Sequence, residues 1–261
     1  MNLSLEGRSA IICGSSQGIG LAIAEELAQM GANCILLARN EANLKLAVTQ
    51  LDNSLRQTHE FHPIDFNDRQ ATEKLVNEIT SRRPVHILVN NSGGPASGPI
   101  TEAVEDQFVQ AFQQHLLTSH ALTKLVIDGM KNEGFGRIIN IISTSVKIPL
   151  KNLGVSNTIR GAMASWAKTM ANELGAFHIT VNNVLPGFTR TDRLDAIVDN
   201  MADKKSLSKE EVEKQMMEEV PMKRFGEASE IAAVAGFLAS PAASYVNGVS
   251  IPVDGGRTGS I

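Results

Sequence analysis

Cysteine is nearly absent: Cys13 and Cys34 are the only two in 261 residues. Two thiols cannot build a disulfide framework, and neither has companion ligands at a zinc spacing. Both therefore read as small buried apolar residues, and no metal site is expected. Long apolar stretches are missing too. No run approaches the roughly 18 residues that cross a bilayer, and segment 1–8 lacks the basic-then-apolar pattern of an export signal. The expectation is a soluble cytoplasmic protein that makes no membrane contact. There is no cationic excess either: 24 Lys and Arg face 28 Asp and Glu, giving a net charge of −4. The cations are dispersed rather than gathered into a stripe, so nucleic acid is not an expected partner. Tyrosine occurs once, as Tyr245, close to the C-terminus.

What is present is a regular alternation. Hydrophobic residues make up 43% of the chain, enough for one large domain covered on both faces. Short apolar runs predict strands over 9–13, 33–38, 60–64, 85–90, 137–142, 179–185 and 249–253. Amphipathic stretches predict helices over 20–30, 41–51, 71–80, 104–130, 156–175 and 229–239. Strand-helix alternation of this kind implies an α/β fold, a doubly wound parallel sheet of Rossmann type in a single domain. Between 192 and 220 the composition turns charged and Met-rich, which predicts a helical excursion on the substrate side.

The segment Gly14-Ser15-Ser16-Gln17-Gly18-Ile19-Gly20 falls between the first strand and the first helix. Glycines there let the backbone turn tightly and approach a pyrophosphate, while free N–H groups at the helix N-terminus hold its charge. Strand before and helix after make this a dinucleotide-binding turn. The second strand ends Ala38-Arg39-Asn40, with no carboxylate to accept a ribose 2′-hydroxyl. A guanidinium suits a 2′-phosphate, so NADP(H) is favoured over NAD(H).

Three further motifs occur in order: Asn90-Asn91-Ser92-Gly93 after strand four, Arg137 to Ser143 along strand five, and Pro186-Gly187 after strand six. With the glycine turn, this series closely resembles the short-chain dehydrogenase/reductase family over nearly the whole chain. The tail, with Arg224-Phe225-Gly226 and Val253-Asp254-Gly255-Gly256, is similar to that of 3-oxoacyl-carrier-protein reductases. The resemblance implies that Ser16, Gln17 and Ile19 belong to the phosphate turn and that Asp65 and Phe66 border the adenine. It further implies that Asn90 and Gly93 line the cofactor cleft, and that Pro186, Gly187, Thr189 and Thr191 meet the nicotinamide end. Gln17 occupies a position where many NADP-dependent members carry a second basic residue. A homotetramer is the implied assembly.

The catalytic positions depart from the family, whose members use an Asn, a Ser, a Tyr and a Lys. Ser143 matches the Ser. Where Tyr-x-x-x-Lys is expected, this chain has Ser156-Asn157-Thr158-Ile159-Arg160, and His115 stands at the Asn position. A serine hydroxyl is a far weaker acid than a phenol, and Arg stays protonated at physiological pH. Arg160 is suited to binding ribose or a developing oxyanion, and proton delivery is expected from His115, which ordinarily titrates near neutrality, from Ser156 with a water, or from the substrate itself. The leading reading is an atypical oxidoreductase moving hydride between NADP(H) and a small-molecule or acyl carbonyl/alcohol pair. A catalytically silent dinucleotide-binding protein is the alternative, and dehydration or isomerisation on the same fold a third. In the excursion, Met201, Met216 and Met217 are candidates to line an apolar pocket, and Arg190 and Arg193 to receive an anionic group.

Overall fold

The computed structural model describes residues 1–260. Seven parallel strands form one sheet in the order β3-β2-β1-β4-β5-β6-β7. These are β1 (Ser9–Cys13), β2 (Asn33–Ala38), β3 (Glu60–Pro63), β4 (Ile87–Asn90), β5 (Gly136–Ile141), β6 (Ile179–Pro186) and β7 (Ser250–Val253). Consecutive residues of the inner strands are both apolar because the sheet is covered on both sides. Ile12 and Leu36 pack under α1 (Gly18–Gln29), α2 (Glu41–Gln50) and α9 (Ala228–Ala239), whereas their neighbours Ile11 and Ile35 face α3 (Arg69–Arg82), α5 (Thr118–Glu133) and α6 (Gly154–Leu174). The chain runs outward from β1 through β2 to β3 and then crosses back to β4 on the other side of β1, so a crevice opens at the carboxyl ends of β1 and β4. Among the described residues no helix is long and apolar enough to cross a membrane.

Two departures from the sequence-based expectation concern the site. The stretch expected as one helix over 104–130 is divided into α4 (Glu105–Phe112), a π-helical turn (Gln113–Leu117) and α5. One extra residue in the turn changes the phase of α5 relative to α4, and apolar periodicity does not register a single insertion. The excursion folds as two helices, α7 (Asp192–Lys205) and α8 (Lys209–Glu218), which bury Leu194, Val198, Ala202, Val212, Met216 and Phe225 in a core of their own. Met216 is consequently interior rather than pocket-lining, and Met201 and Met217 pack half-buried against the same core. An amphipathic helix pair standing off a sheet must bury its own apolar faces, and these methionines do that.

A buried polar ladder crosses the sheet. Asn90 Nδ2 donates to Asn140 Oδ1 (2.9 Å), Asn140 Nδ2 to Asn183 Oδ1 (2.9 Å), and Asn183 Nδ2 to Ser250 Oγ (3.0 Å). The strand registers place these residues directly opposite one another, so one bond joins each adjacent pair from β4 to β7. Asn140 is fully buried. Asn140→Ala leaves a buried donor on Asn90 and a buried acceptor on Asn183 without partners, and should destabilise the protein by about 2–5 kcal/mol. Urea unfolding measures this, and a loss below about 1 kcal/mol would show that the ladder is not a stabilising network.

Candidate active site

The site begins at the turn after β1. Gly14 and Gly18 have φ of +61° and +58°, which favours glycine. A Cβ on Gly20 would run into the carbonyl oxygen of Gly14 and lie 2.8 Å from Asn91 Nδ2. Asn91 Nδ2 donates to the carbonyls of Cys13 and Gly14, both at 3.2 Å, so the loop after β4 braces the turn. The buried Ser15 hydroxyl donates to the Ile12 carbonyl (2.8 Å) and accepts the Leu37 amide (3.1 Å), fixing β1 to β2. Ser16 and Ile19 are half-buried and Gln17 is exposed. No side chain caps the N-terminus of α1, and its first turn carries no acid. Those free amides and the helix dipole make a cradle that fits an anion such as a dinucleotide pyrophosphate.

Arg39 stands exposed at the end of β2 and takes part in none of the ion pairs among the described residues. Asp65 is exposed after β3 and accepts from Asn67 through its amide (3.0 Å) and side chain (2.9 Å), while the cap of α3 is Asp68. Phe66 packs half-buried on the second core. Asn90 commits its amide to the ladder, and its buried Oδ1 has no partner. Gly93 is exposed with open space around its Cα. Pro186 closes β6, and Gly187 approaches so near β7 that a Cβ would lie 2.6 Å from that of Asp254. Thr189 Oγ1 donates to the Gly187 carbonyl (3.2 Å), and Thr191 caps α7 by accepting the Leu194 amide. Gln17 Nε2 donates to Asp192 Oδ2 (2.8 Å), linking the glycine turn to the first residue of α7.

The residues at the catalytic positions meet beyond β5. Ser143 caps a short 3-10 turn by accepting the Ser145 amide (3.1 Å). Ser156, 4% exposed in the first turn of α6, accepts Arg160 Nε–H at 3.3 Å. Arg160 Nη1 donates to the carbonyl of Ile142, the residue before Ser143. Both serine hydroxyls thus accept an N–H and keep their own hydrogen free to donate. His115, 5% exposed, sits on the π-turn with Nδ1 2.7 Å from Ser92 Oγ and Nε2 without a partner. The Arg193 guanidinium, from the first turn of α7, lies against Gly94: a Cβ there would be 2.8 Å from its Cζ.

These charges decide protonation. Burial, then repulsion from Arg160 and Arg193, drives the His115 imidazole down to about 3. The expectation that His115 titrates near neutrality is therefore corrected: it is a neutral ring that holds one hydrogen bond to Ser92. Burial and then Arg193 bring Arg160 down to about 10, which leaves it charged at neutral pH. Arg190, paired with Glu227 at 3.5 Å and lying over the Phe225 ring, is engaged rather than free for an anion. Tyr245 is fully exposed, far in role from any phenol donor. Burial pushes the Cys13 thiol up to about 12 and raises that of Cys34, so both are unreactive. Asn91 and Ser92 acquire site roles that their motif alone does not assign; the signal in the sequence is polar side chains directly after a buried strand.

Burying a neutral imidazole has a pH signature. The stabilisation is complete above the ordinary histidine value of about 6.5 and is lost as pH falls toward 3, at roughly 1.4 kcal/mol per pH unit. His115→Asn should remove that slope, so urea unfolding at about pH 7, 5.5 and 4.5 should show the variant losing stability less steeply than wild type. Parallel losses would mean that His115 is not buried neutral.

Known proteins resemble this chain over nearly its whole length. The family model described as enoyl-(acyl carrier protein) reductase matches residues 14–258. The NADPH-dependent reductase BacG of Bacillus subtilis is 34% identical over 259 residues, covering 97% of this chain and 99% of that protein. The 3-oxoacyl-[acyl-carrier-protein] reductase FabG of Vibrio cholerae is 33% identical over 258 residues, covering 97% and 98%. Among solved structures, L-sorbose reductase from Gluconobacter frateurii, complexed with NADPH and L-sorbose, superposes with a TM-score of 0.93 at 28% identity over 100% of both chains. With matches spanning nearly its full length and a shared seven-stranded parallel sheet, the chain belongs to the short-chain dehydrogenase/reductase family.

Proposed function

We propose that the protein is an NADP(H)-dependent oxidoreductase that reduces a carbonyl without a phenolic acid. The observation that carries this reading is the Arg160 guanidinium, held by the Ile142 carbonyl and donating to Ser156 Oγ. The uncapped N-terminus of α1 would hold the pyrophosphate and Arg39 the 2′-phosphate, with Asn90, Gly93, Pro186, Gly187, Thr189 and Thr191 around the nicotinamide half. The dinucleotide, when bound, supplies hydride to the carbonyl carbon. The protein's own part is to orient and polarise the oxygen. Ser143 and Ser156 each offer a free O–H, and Arg160 strengthens the second by drawing charge from its oxygen. A proton leaving Ser156 Oγ toward a nascent alkoxide is replaced from solvent, and the adjacent guanidinium stabilises the oxygen meanwhile. The NADPH dependence of the relatives supports the cofactor assignment.

The composition and the kinship with bacterial reductases support a cytoplasmic location. Exposed Val109 and Phe112 on α4, beside a hollow also lined by Phe108, Leu117 and Ile159, support assembly of copies into the family's homotetramer.

Purified protein should consume NADPH saturably with at least one member of a carbonyl panel. Tight NADPH binding with no turnover across the panel would favour a silent dinucleotide-binding protein instead. Arg39→Asp should weaken NADPH by roughly 1.5–3 kcal/mol while leaving NADH nearly unchanged, as titration calorimetry can read. Equal weakening of both would remove Arg39 from the phosphate site.

A further inference from the structure

The basic side chains on the substrate side differ in how they are neutralised. Arg190 meets Glu227 (3.5 Å), Arg224 meets Glu230 (2.6 Å) and Arg257 meets Glu219 (2.7 Å). Arg160 and Arg193 meet no carboxylate among the described residues. Their positions make that costly. Arg160 is part-buried on α6 with two of its five N–H groups engaged, on Ser156 and Ile142. Arg193 belongs to the first turn of α7, where the helix dipole disfavours a cation. The nearest acid in sequence, Asp192, turns instead to Gln17. The two guanidiniums act on one neighbour in common: both help to hold His115 neutral. The buried His115 Nε2 has no protein partner.

The loop after β4 touches both His115 and Arg193. Ser92 holds His115, and two residues on, Gly94 carries the Arg193 guanidinium on its bare Cα, where any side chain would displace it. Beside Gly94 and Val155, the latter adjoining Ser156, a polar cleft of about 460 Å³ opens along Gln107, Gln110 and Gln114. Its one acidic lining residue, Glu102, is exposed.

Building on the carbonyl-reductase reading above, we propose that Arg160 and Arg193 form a two-arginine clamp for a carboxylate on the substrate, so that the substrate class is an oxo acid reduced to the hydroxy acid. The carboxylate is a handle and is unchanged by the reaction. The carbonyl carbon gains hydride from NADPH, its oxygen gains a proton through Ser156, and NADP⁺ leaves. Two guanidiniums that lack counter-ions gain one when the substrate binds, and an ester or amide of the same skeleton does not supply it. Arg190, which a reading of the sequence groups with Arg193, has no part in the clamp because Glu227 already engages it.

A dinucleotide pyrophosphate is the other anion that Arg193 could meet, and the test separates the two. Pyruvate, benzoylformate and levulinate, each beside its methyl ester, are titrated calorimetrically into NADP⁺-loaded wild type and Arg193→Gln, with NADPH affinity measured for both proteins. The clamp predicts at least one acid bound at least about tenfold more tightly than its ester. It further predicts that Arg193→Gln removes that preference and leaves NADPH affinity within about twofold. Acids that bind no better than esters, or no measurable binding of any acid to a protein that holds NADPH normally, would overturn it. So would an Arg193→Gln protein that loses NADPH affinity and keeps the acid preference, since the guanidinium would then serve the pyrophosphate. Reduction of esters and acids alike would sink the clamp and leave the reductase reading intact, whereas wild type that binds no dinucleotide at all would sink both.

Discussion

An uncompensated guanidinium at the carboxyl end of the sheet is the constraint around which the rest of the site is arranged. Arg160 projects from α6 toward the end of β5, where the Ile142 carbonyl and Ser156 hydroxyl hold it. A lysine or tyrosine could be tuned to exchange a proton near neutral pH, but a guanidinium brought down only to about 10 cannot. Burial, followed by the charges of Arg160 and Arg193, also keeps His115 neutral, so the imidazole does not take over the acid's part. The chemistry left to the site is orientation and polarisation: two serine O–H donors, a fixed positive charge, and a proton drawn through Ser156 from water.

The scaffold supports this by rigidity. Asn90, Asn140, Asn183 and Ser250 span four strands with side-chain bonds buried in the sheet, so the ends of β4, β5 and β6 move as a unit. The loop leaving β4 then carries out three tasks over residues 91–94. Asn91 braces the glycine turn, Ser92 holds His115, and Gly94 receives Arg193 from α7. Through Arg193 and the Gln17–Asp192 bond, the helix pair that covers the substrate side is tied to both the β4 loop and the dinucleotide turn.

Most of the architecture is legible in the sequence, because parallel strands buried on two faces are continuous apolar runs, and glycines between strand and helix identify the phosphate turn by context. The site is legible as a set of positions, not as a set of roles. That Ser156 and Arg160 share a helix face is implied by their spacing, yet the spacing does not show that His115 is buried within the influence of two arginines. Its protonation is set first by burial and then by Arg160 and by Arg193, the last far along the chain. Met216 and Arg190 depart from expectation for a related reason: a residue's freedom depends on what the fold sets beside it. Here that is the small core of α7 and α8 for one, and Glu227 for the other. The π-turn is invisible because a single-residue phase shift leaves the apolar pattern on either side intact.

The pH dependence of kcat/KM under saturating NADPH separates a centre of fixed charge from one with a titrating acid. A centre that works through a neutral imidazole, two hydroxyls and a fixed guanidinium should give a flat profile from about pH 5.5 to about 9. An inflection between about pH 6 and about 8 that disappears in His115→Asn would show a titrating acid at work, and would contradict the account.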